Sequence, residues 1–205
     1  MQQKPLFITF EGIDGCGKST QVHKFTEYLA GLSKYNHILL TREPYKSREI
    51  REILRQDPDP YSQARKLAEL FLNDRTEHLQ KIIHPALNSG IHVISDRYKL
   101  STLAYQSTQG IPVGELIKMH SGLLAPDLTF IVDVPVEVAV KRMKKDSRQE
   151  HKFEANLGFL TKLRQRYLEL PSLLPEEKIV VIDGSKDVYE VFEQVKKAFH
   201  ENINL

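Results

Sequence analysis

The chain contains one cysteine among 205 residues. That excludes an internal disulfide and fits a reducing compartment. No apolar run in the sequence approaches the roughly 20 residues that a bilayer-spanning helix needs. The formal net charge is only +2, which argues against a strong commitment to nucleic acid or to a membrane surface. Internal repeats, low-complexity tracts and linkers are missing. The eight histidines show no metal-ligand spacing; His78 and His84 have no matching Cys or carboxylate partners and read as structural. The chain enters an apolar segment by Leu6, so no signal peptide is expected. These absences leave a cytoplasmic enzyme as the default class. With 40% apolar and 27% charged residues, the composition is that of an ordinary globular protein, and residues 1–205 are most simply one domain with a real core.

What is present is concentrated in Gly12-Ile13-Asp14-Gly15-Cys16-Gly17-Lys18-Ser19, followed by Thr20. It matches G-x-x-x-x-G-K-[ST] at every fixed position. The pattern alone is moderately specific, and its flanks decide it. Leu6 to Phe10 is a short β-rich apolar run, and Val22, Phe25, Leu29 and Leu32 follow at helical spacing. A strand, a glycine loop and a helix start are what a phosphate cradle needs. Lys18 can reach outer phosphates and Ser19 can hold Mg²⁺. Cys16 lies near a helix N-terminus and Lys18, both of which lower a thiol's pKa; the plainer reading is a small residue that fits the loop.

Further strands are expected at His37–Thr41, Ile91–Ser95, Leu128–Val134 and Lys178–Asp183, alternating with helices, so the sheet should be parallel and doubly wound. Arg42 follows the second strand, at the end that faces the ligand crevice in such sheets; it either binds an anion or is a solvated loop arginine. Tyr61 to Leu87 reads as one long helix that Pro85 ends or kinks near its tail. Arg75 sits on its apolar stripe, one turn after Phe71. It either pairs with an internal acid such as Asp74 or Glu77, or faces an anionic ligand with Phe71 offering a flat face to a base. Asp96 and Arg97 follow the third strand and suit a magnesium-linked acid and a phosphate-binding arginine; the alternative is a helix cap and an ion pair. Ser101 to Gln106 and Val113 to Leu124 read as short helices, and Tyr105 is equally a core residue with its hydroxyl satisfied. Lys141 to Arg148 is a basic run, either a solvated face or a lid over phosphates. Phe153 to Leu170 is amphipathic and is expected to stop at Pro171. Asp187 to Phe199 closes the chain.

These residues resemble the thymidylate kinase family, in which dTMP is phosphorylated by ATP. The resemblance runs over nearly the whole chain. It is carried by Phe10-Glu11-Gly12-Ile13-Asp14-Gly15, Thr41-Arg42-Glu43-Pro44, and Leu70-Phe71 through Asp74-Arg75. It continues in Asp96-Arg97-Tyr98 through Ser101-Thr102-Leu103-Ala104-Tyr105-Gln106, then Pro126-Asp127-Leu128, Asp133-Val134-Pro135 and Arg166-Tyr167-Leu168-Glu169-Leu170. It implies an α/β P-loop kinase fold with a five-stranded parallel sheet in the order 2-3-1-4-5 flanked by helices. It implies that Gly12 to Thr20 hold ATP and that Ser19 and Asp96 hold Mg²⁺. Phe71 would stack on thymine and Arg75 bind the base edge. Thr102 and Gln106 would lie near the base and Tyr105 beside the deoxyribose. Asp14 would hold the sugar 3′-hydroxyl, while Arg42 and Arg97 grip the acceptor phosphate and Lys18 and Arg97 neutralise the transferred group. A homodimer is expected on the same ground.

Two departures stand out. Bacterial members often follow Arg-Glu-Pro with two glycines and a threonine, where this chain has Tyr45-Lys46-Ser47. The variable positions of the phosphate loop hold Asp14, Gly15 and Cys16, with no arginine. The catalytic cation is therefore expected from a lid near 144–152, with Arg148 first and Lys144 and Lys145 as alternatives. Another nucleoside or nucleoside-monophosphate kinase on this fold is the nearest rival. A catalytically silent nucleotide-binding module is a third reading, against which Lys18, Ser19, Asp14, Asp96 and Arg97 all speak. A GTP switch would need a guanine-reading Asn-Lys-x-Asp segment, which the sequence lacks.

Overall fold

The computed structural model describes residues 4–145 and 156–203. Five parallel strands form one sheet in the order β2-β3-β1-β4-β5, as the resemblance implies. They are β1 Phe7–Glu11, β2 Ile38–Arg42, β3 His92–Asp96, β4 Leu128–Asp133 and β5 Ile179–Asp183. β1 and β3 are buried along their whole length, and β4 is buried up to Asp133. Their sequences are accordingly near-continuous apolar runs, as strands covered on both faces require. The edge strands β2 and β5 carry half-exposed residues.

Around the sheet lie α1 Lys18–Gly31, α2 Arg48–Gln56, α3 Ala64–His78, α4 His84–Asn88, α5 Lys99–Thr108, α6 Val113–Met119, α7 Val136–Lys145, α8 Leu157–Leu173 and α9 Val188–Asn202. A cluster of fully buried rings locks β1 and β4 to α1 and α9. Phe10 lies 4.9 Å from Phe130 and 5.7 Å from Phe25, and Phe25 lies 5.1 Å from Phe199. Each such buried ring contributes about 1.5–3 kcal/mol. This packing fixes where β1 ends and α1 begins, and hence the loop between them.

Several element boundaries differ from those the sequence predicts. The helix predicted from Tyr61 begins at Ala64, after a turn in which Gln63 takes a φ of 59°. It then passes through a π-helical segment, Leu79–Ile83, before α4. The extra residue of a π-turn re-phases the helix just ahead of Pro85, which sits in the first turn of α4. Helix α2 was not predicted at all. The sixth helix ends at Met119 rather than Leu124. Pro171 does not stop α8, which runs to Leu173. The proline forfeits a single bond, to the carbonyl of Tyr167, and the last turn still closes through the Leu174 N–H and the Leu170 carbonyl. The predicted start at Phe153 lies outside the described residues.

Register decides what meets at the carboxyl end of the sheet. Asp96 pairs with Phe10 in one ladder and with Arg42 in the other. The segments after Glu11, Arg42 and Asp96 therefore leave the sheet side by side. On the other flank Asp133 pairs with Asp183, which brings Gly184 to the same end.

Candidate active site

The loop from Gly12 to Gly17 crosses this end of the sheet into α1. Gly12 has a φ of 136°, and a Cβ there would lie 2.5 Å from the Val132 carbonyl oxygen; Gly15 has a φ of 77° and a Cβ there would lie 2.4 Å from the Ala139 carbonyl oxygen. Neither position admits a side chain. Helix α1 has no side-chain N-cap and no acid in its first turn. Its positive end and free N–H groups are left for an anion.

The loop floors a cavity of about 420 Å³. Six cationic side chains line it, from Lys18, Arg42, Arg97, Arg142, Lys144 and Lys186, against the two carboxylates of Asp14 and Asp96. That balance suits a polyphosphate carrying its own counter-ion. Ser19 Oγ donates to Asp96 Oδ2 at 2.9 Å, and Lys18 Nζ lies 3.7 Å from Asp96 Oδ1. Burial opposes charge on Asp96, but Lys18, Arg97 and the Ser19 hydroxyl outweigh it and hold the carboxyl below its usual range. Asp96 Oδ1 is buried without a hydrogen-bond partner among the described residues. An ionised acid with one orphaned oxygen beside the loop serine fits a divalent cation.

Arg97 joins the phosphate loop to α5. Its backbone lies in the left-handed region at a φ of 75°, a strained position for a residue with a Cβ. Its guanidinium donates to Asp14 Oδ1 at 2.6 Å, Ser101 Oγ at 2.9 Å, and the Gly12 carbonyl and Tyr167 hydroxyl at 3.2 Å each. Tyr105 donates to the other Asp14 oxygen at 3.0 Å. Burial works against the charge on Asp14, yet Arg97, Lys18 and the Tyr105 hydroxyl together hold its carboxyl well below the usual range. Burial pushes the Tyr105 and Tyr167 hydroxyls well up, so both stay protonated donors. Beneath them Glu11 is fully buried and accepts from the Tyr98 N–H at 2.8 Å and from Ser101 Oγ at 2.6 Å, pinning the start of α5. Its carboxyl is raised by burial, against the Ser101 bond and the Arg97 charge.

A second group lies on the packed faces of α3 and α5. Arg75 is buried and donates to Glu43 Oε2 at 2.8 Å, His120 Nε2 at 2.8 Å, and the Tyr98 carbonyl and Thr102 Oγ1 at 3.1 Å each. The internal acid is thus Glu43, neither Asp74 nor Glu77. Phe71, half-buried, packs one turn before Arg75. Gln106 is buried one turn after Thr102 and donates to Gln109 Oε1 at 3.0 Å, while its own Oε1 has no partner among the described residues. Phe71, Arg75, Thr102, Tyr105 and Gln106 do not line the 420 Å³ cavity, whereas Asp14, Arg42, Asp96 and Arg97 do. The Asp14–Tyr105 bond links the two groups.

Of the two readings of Cys16, the structure supports the plainer one, a small residue that fits the loop. Its side chain is buried at 1% exposure, and burial pushes its pKa up more than Lys18 brings it down. Arg148 lies outside the described residues, as does the lid beyond Lys145. Lys144 lines the cavity and Lys145 is exposed at the end of α7. A cation missed among the lid candidates is Arg142, which donates to the Cys16 carbonyl at 3.1 Å and the Gly184 carbonyl at 3.0 Å. Its place in the basic run was its only sequence signal. Glu11, Glu43, His120, Ser101 and Lys186 were also missed; nothing in their local sequence announces their partners.

Comparison with known proteins agrees with this geometry. The family model described as thymidylate kinase matches residues 10–195. The thymidylate kinase of Kosmotoga olearia is 39% identical over 201 residues, covering 95% of each chain. That of Dinoroseobacter shibae is 41% identical over 199 residues, covering 93% of this chain and 94% of the relative. The probable thymidylate kinase of Thermococcus kodakarensis is 34% identical over 199 residues, with 93% and 95% covered. With a phosphate loop, an Asp-Arg pair and a match of this extent, the chain belongs to the thymidylate kinase family.

Proposed function

We propose that this chain transfers the γ-phosphoryl group of ATP to dTMP, giving ADP and dTDP for dTTP synthesis, by in-line displacement. The observation that supports this most is the Asp14–Arg97–Tyr105 junction. It joins the cavity over the phosphate loop to the second, half-apolar group of residues on α3 and α5. Gly12 to Thr20 hold the ATP phosphates. Arg42 and Arg97 grip the acceptor phosphate, and Lys18 and Arg97 neutralise charge on the group in flight. Asp14, kept ionised, accepts from the sugar 3′-hydroxyl, with Tyr105 beside the deoxyribose. Phe71 stacks on the base, and Thr102 and Gln106 border it. Arg75 binds the base edge from its place beside Thr102. Ser19 and Asp96 would hold Mg²⁺, which when bound spreads the charge of the donor phosphates. No strong general base is needed, because the acceptor phosphate is already an anion.

The reading further includes one catalytic domain over residues 1–205, a lid near 144–152 bringing Arg148 onto the transferring group, a homodimer, and a cytoplasmic location. Among the described residues no helix is long and apolar enough to cross a membrane. The test is a coupled ATP-to-ADP assay with dTMP, dUMP, dCMP and AMP as acceptors. The fastest turnover is expected with dTMP. A clear preference for another monophosphate would make the chain a different nucleotide kinase of this fold, and no turnover with any would favour a silent binding module.

A further inference from the structure

One face of α3 holds the whole segment that follows β2. Asp74 is buried, and its carboxylate accepts three consecutive backbone N–H groups: Tyr45 to Oδ2 at 2.5 Å, and Lys46 and Ser47 to Oδ1 at 3.0 and 2.8 Å. Ser47 in turn N-caps α2 through the Ile50 N–H. Four residues on, His78 is fully buried and takes hold of this segment and of the end of β2 at three points in all. Its Nδ1–H donates to Glu43 Oε1 at 3.2 Å, since a carboxylate can only accept. Its Nε2 lies 2.7 Å from Thr41 Oγ1, and the Tyr45 ring stacks on it at 4.7 Å and 9°. Between them Arg75 holds the other Glu43 oxygen.

This is more fastening than a connection of five residues needs. Four polar or charged side chains, Glu43, Asp74, Arg75 and His78, are buried to hold it, and burying such groups is unfavourable unless every one is paired. Arg42 closes β2 directly before this segment, and His78 holds both of its chain neighbours, Thr41 and Glu43. The Arg42 guanidinium has no hydrogen-bond partner among the described residues and lines the phosphate cavity beside Asp96 and Arg97. Phe71 sits on the same helix, one turn before Asp74 and two before His78. Helix α3 therefore carries the base-stacking ring directly and the phosphate-gripping arginine through Asp74 and His78.

We infer that Asp74, assisted by His78, is a positioning residue that sets the reach from Phe71 to Arg42, and so fits the acceptor site to a nucleotide with a phosphate at one fixed distance from its base. The inference rests on the acceptor roles proposed above for those two residues. The Tyr45-Lys46-Ser47 departure then has a structural account: Asp74 holds the turn by backbone N–H groups that any non-proline residues supply, and Tyr45 and Ser47 add a stack on His78 and the cap of α2.

The test is a double-mutant cycle between Asp74→Asn and Arg42→Ala, read as kcat/KM for whichever monophosphate the wild-type enzyme phosphorylates fastest. The wild-type measurement tests the proposed function, and only the variants test the inference. Titration calorimetry of dTMP binding reads the same cycle without turnover. In Asp74→Asn the amide nitrogen replaces one acceptor with a donor and cannot serve the full set of N–H groups. With Arg42 present this substitution is expected to lower kcat/KM and dTMP affinity about tenfold, with the ATP KM unchanged; with Arg42→Ala in place it is expected to do little more. Should Asp74→Asn unfold at assay temperature, Thr41→Val removes one fastening from the same segment with almost no change in volume and carries the cycle, with an expected loss of about threefold. An equal loss in both Arg42 backgrounds would reduce Asp74 to a scaffold residue and overturn the inference, as would no loss in either.

Discussion

Replacing Arg97 by lysine keeps the charge and removes the fork. The guanidinium serves two directions at once: Nη2 holds Asp14 at 2.6 Å, while Nη1 serves Ser101, Gly12 and Tyr167. A lysine has three donors on one atom and cannot span both. If it keeps Asp14, the Gly12 carbonyl and, in the proposed reading, the acceptor phosphate lose their donor. If it turns to the phosphate, Asp14 is left with Lys18 and Tyr105. The lost clamp on a developing charge corresponds to ~10²–10³ in rate. Steady-state kinetics should show a fall of that size in kcat for Arg97→Lys, and at least as large a fall for Arg97→Ala. The same substitutions change acid stability, with a definite sign. Asp14 has a folded-state pKa held below its ordinary value of 3.8, so its ionised form stabilises the fold above that pH and the contribution is lost as pH falls below it. In Arg97→Ala the main cation opposing its burial is gone, so the folded pKa rises. Thermal unfolding followed from pH 6 downward should therefore show Arg97→Ala losing less stability through this window than wild type does. Asp96 is held down partly by Arg97 as well, so its carboxyl also rises in the variant and the difference has the same sign. A kcat for Arg97→Lys within a few-fold of wild type would refute the two-direction argument.

Lys18→Ala is expected to abolish measurable transfer while thermal unfolding stays cooperative, since its ammonium lies 3.7 Å from Asp96 Oδ1 and, in the proposed reading, serves the donor phosphates. Phe71→Ala should raise the dTMP KM and leave that for ATP, because stacking on a base is worth ~1–3 kcal/mol; a shift in the ATP constant would move Phe71 to the core or to the donor side. Cys16 should resist alkylation in the folded protein and react fully in denaturant, with or without ATP, given its burial and raised pKa; rapid labelling of the native enzyme would contradict that burial. Arg148→Ala should lower kcat sharply with dTMP affinity little changed, the signature of a contact made in the transition state. Unaltered kcat in Arg148→Ala and in the Lys144→Ala and Lys145→Ala variants would remove the lid from the mechanism.

The sheet was legible because its strands are bounded apolar runs whose alternation with helices forces parallel pairing. The strand order came from the family resemblance, not from the runs themselves. Helix α2 was missed because five of its nine residues are charged and only Ile50 and Ile53 are buried. The usable signals were Ser47 as N-cap and the three-residue spacing of those isoleucines. Pro171 misled because a proline in the last turn of a helix forfeits so little. The π segment is invisible to a 3.6-residue template by construction, since it adds a residue between two stretches that each keep the period.

The phosphate loop and the Asp96-Arg97 pair were readable because their chemistry is packed into a few consecutive residues. The partners of Arg75 were not, since Glu43 and His120 lie 32 and 45 residues away. Arg142 and Cys16 are 126 residues apart. At Cys16 the local pattern pointed the wrong way. Nearness to Lys18 is a sequence property, burial is a tertiary one, and burial is the larger effect there. Arg75 shows a different kind of gap. Its position on an apolar stripe presents two readings as rivals, an internal ion pair or a ligand-facing cation. The partner it finds, Glu43, is the residue next to Arg42 in the segment that lines the phosphate cavity, and its neighbour on the other side is Thr102 of α5. A buried pair in that place ties the segment after β2 to α5, so under the proposed acceptor roles the structural bond would also arrange ligand contacts, and the two readings would not compete.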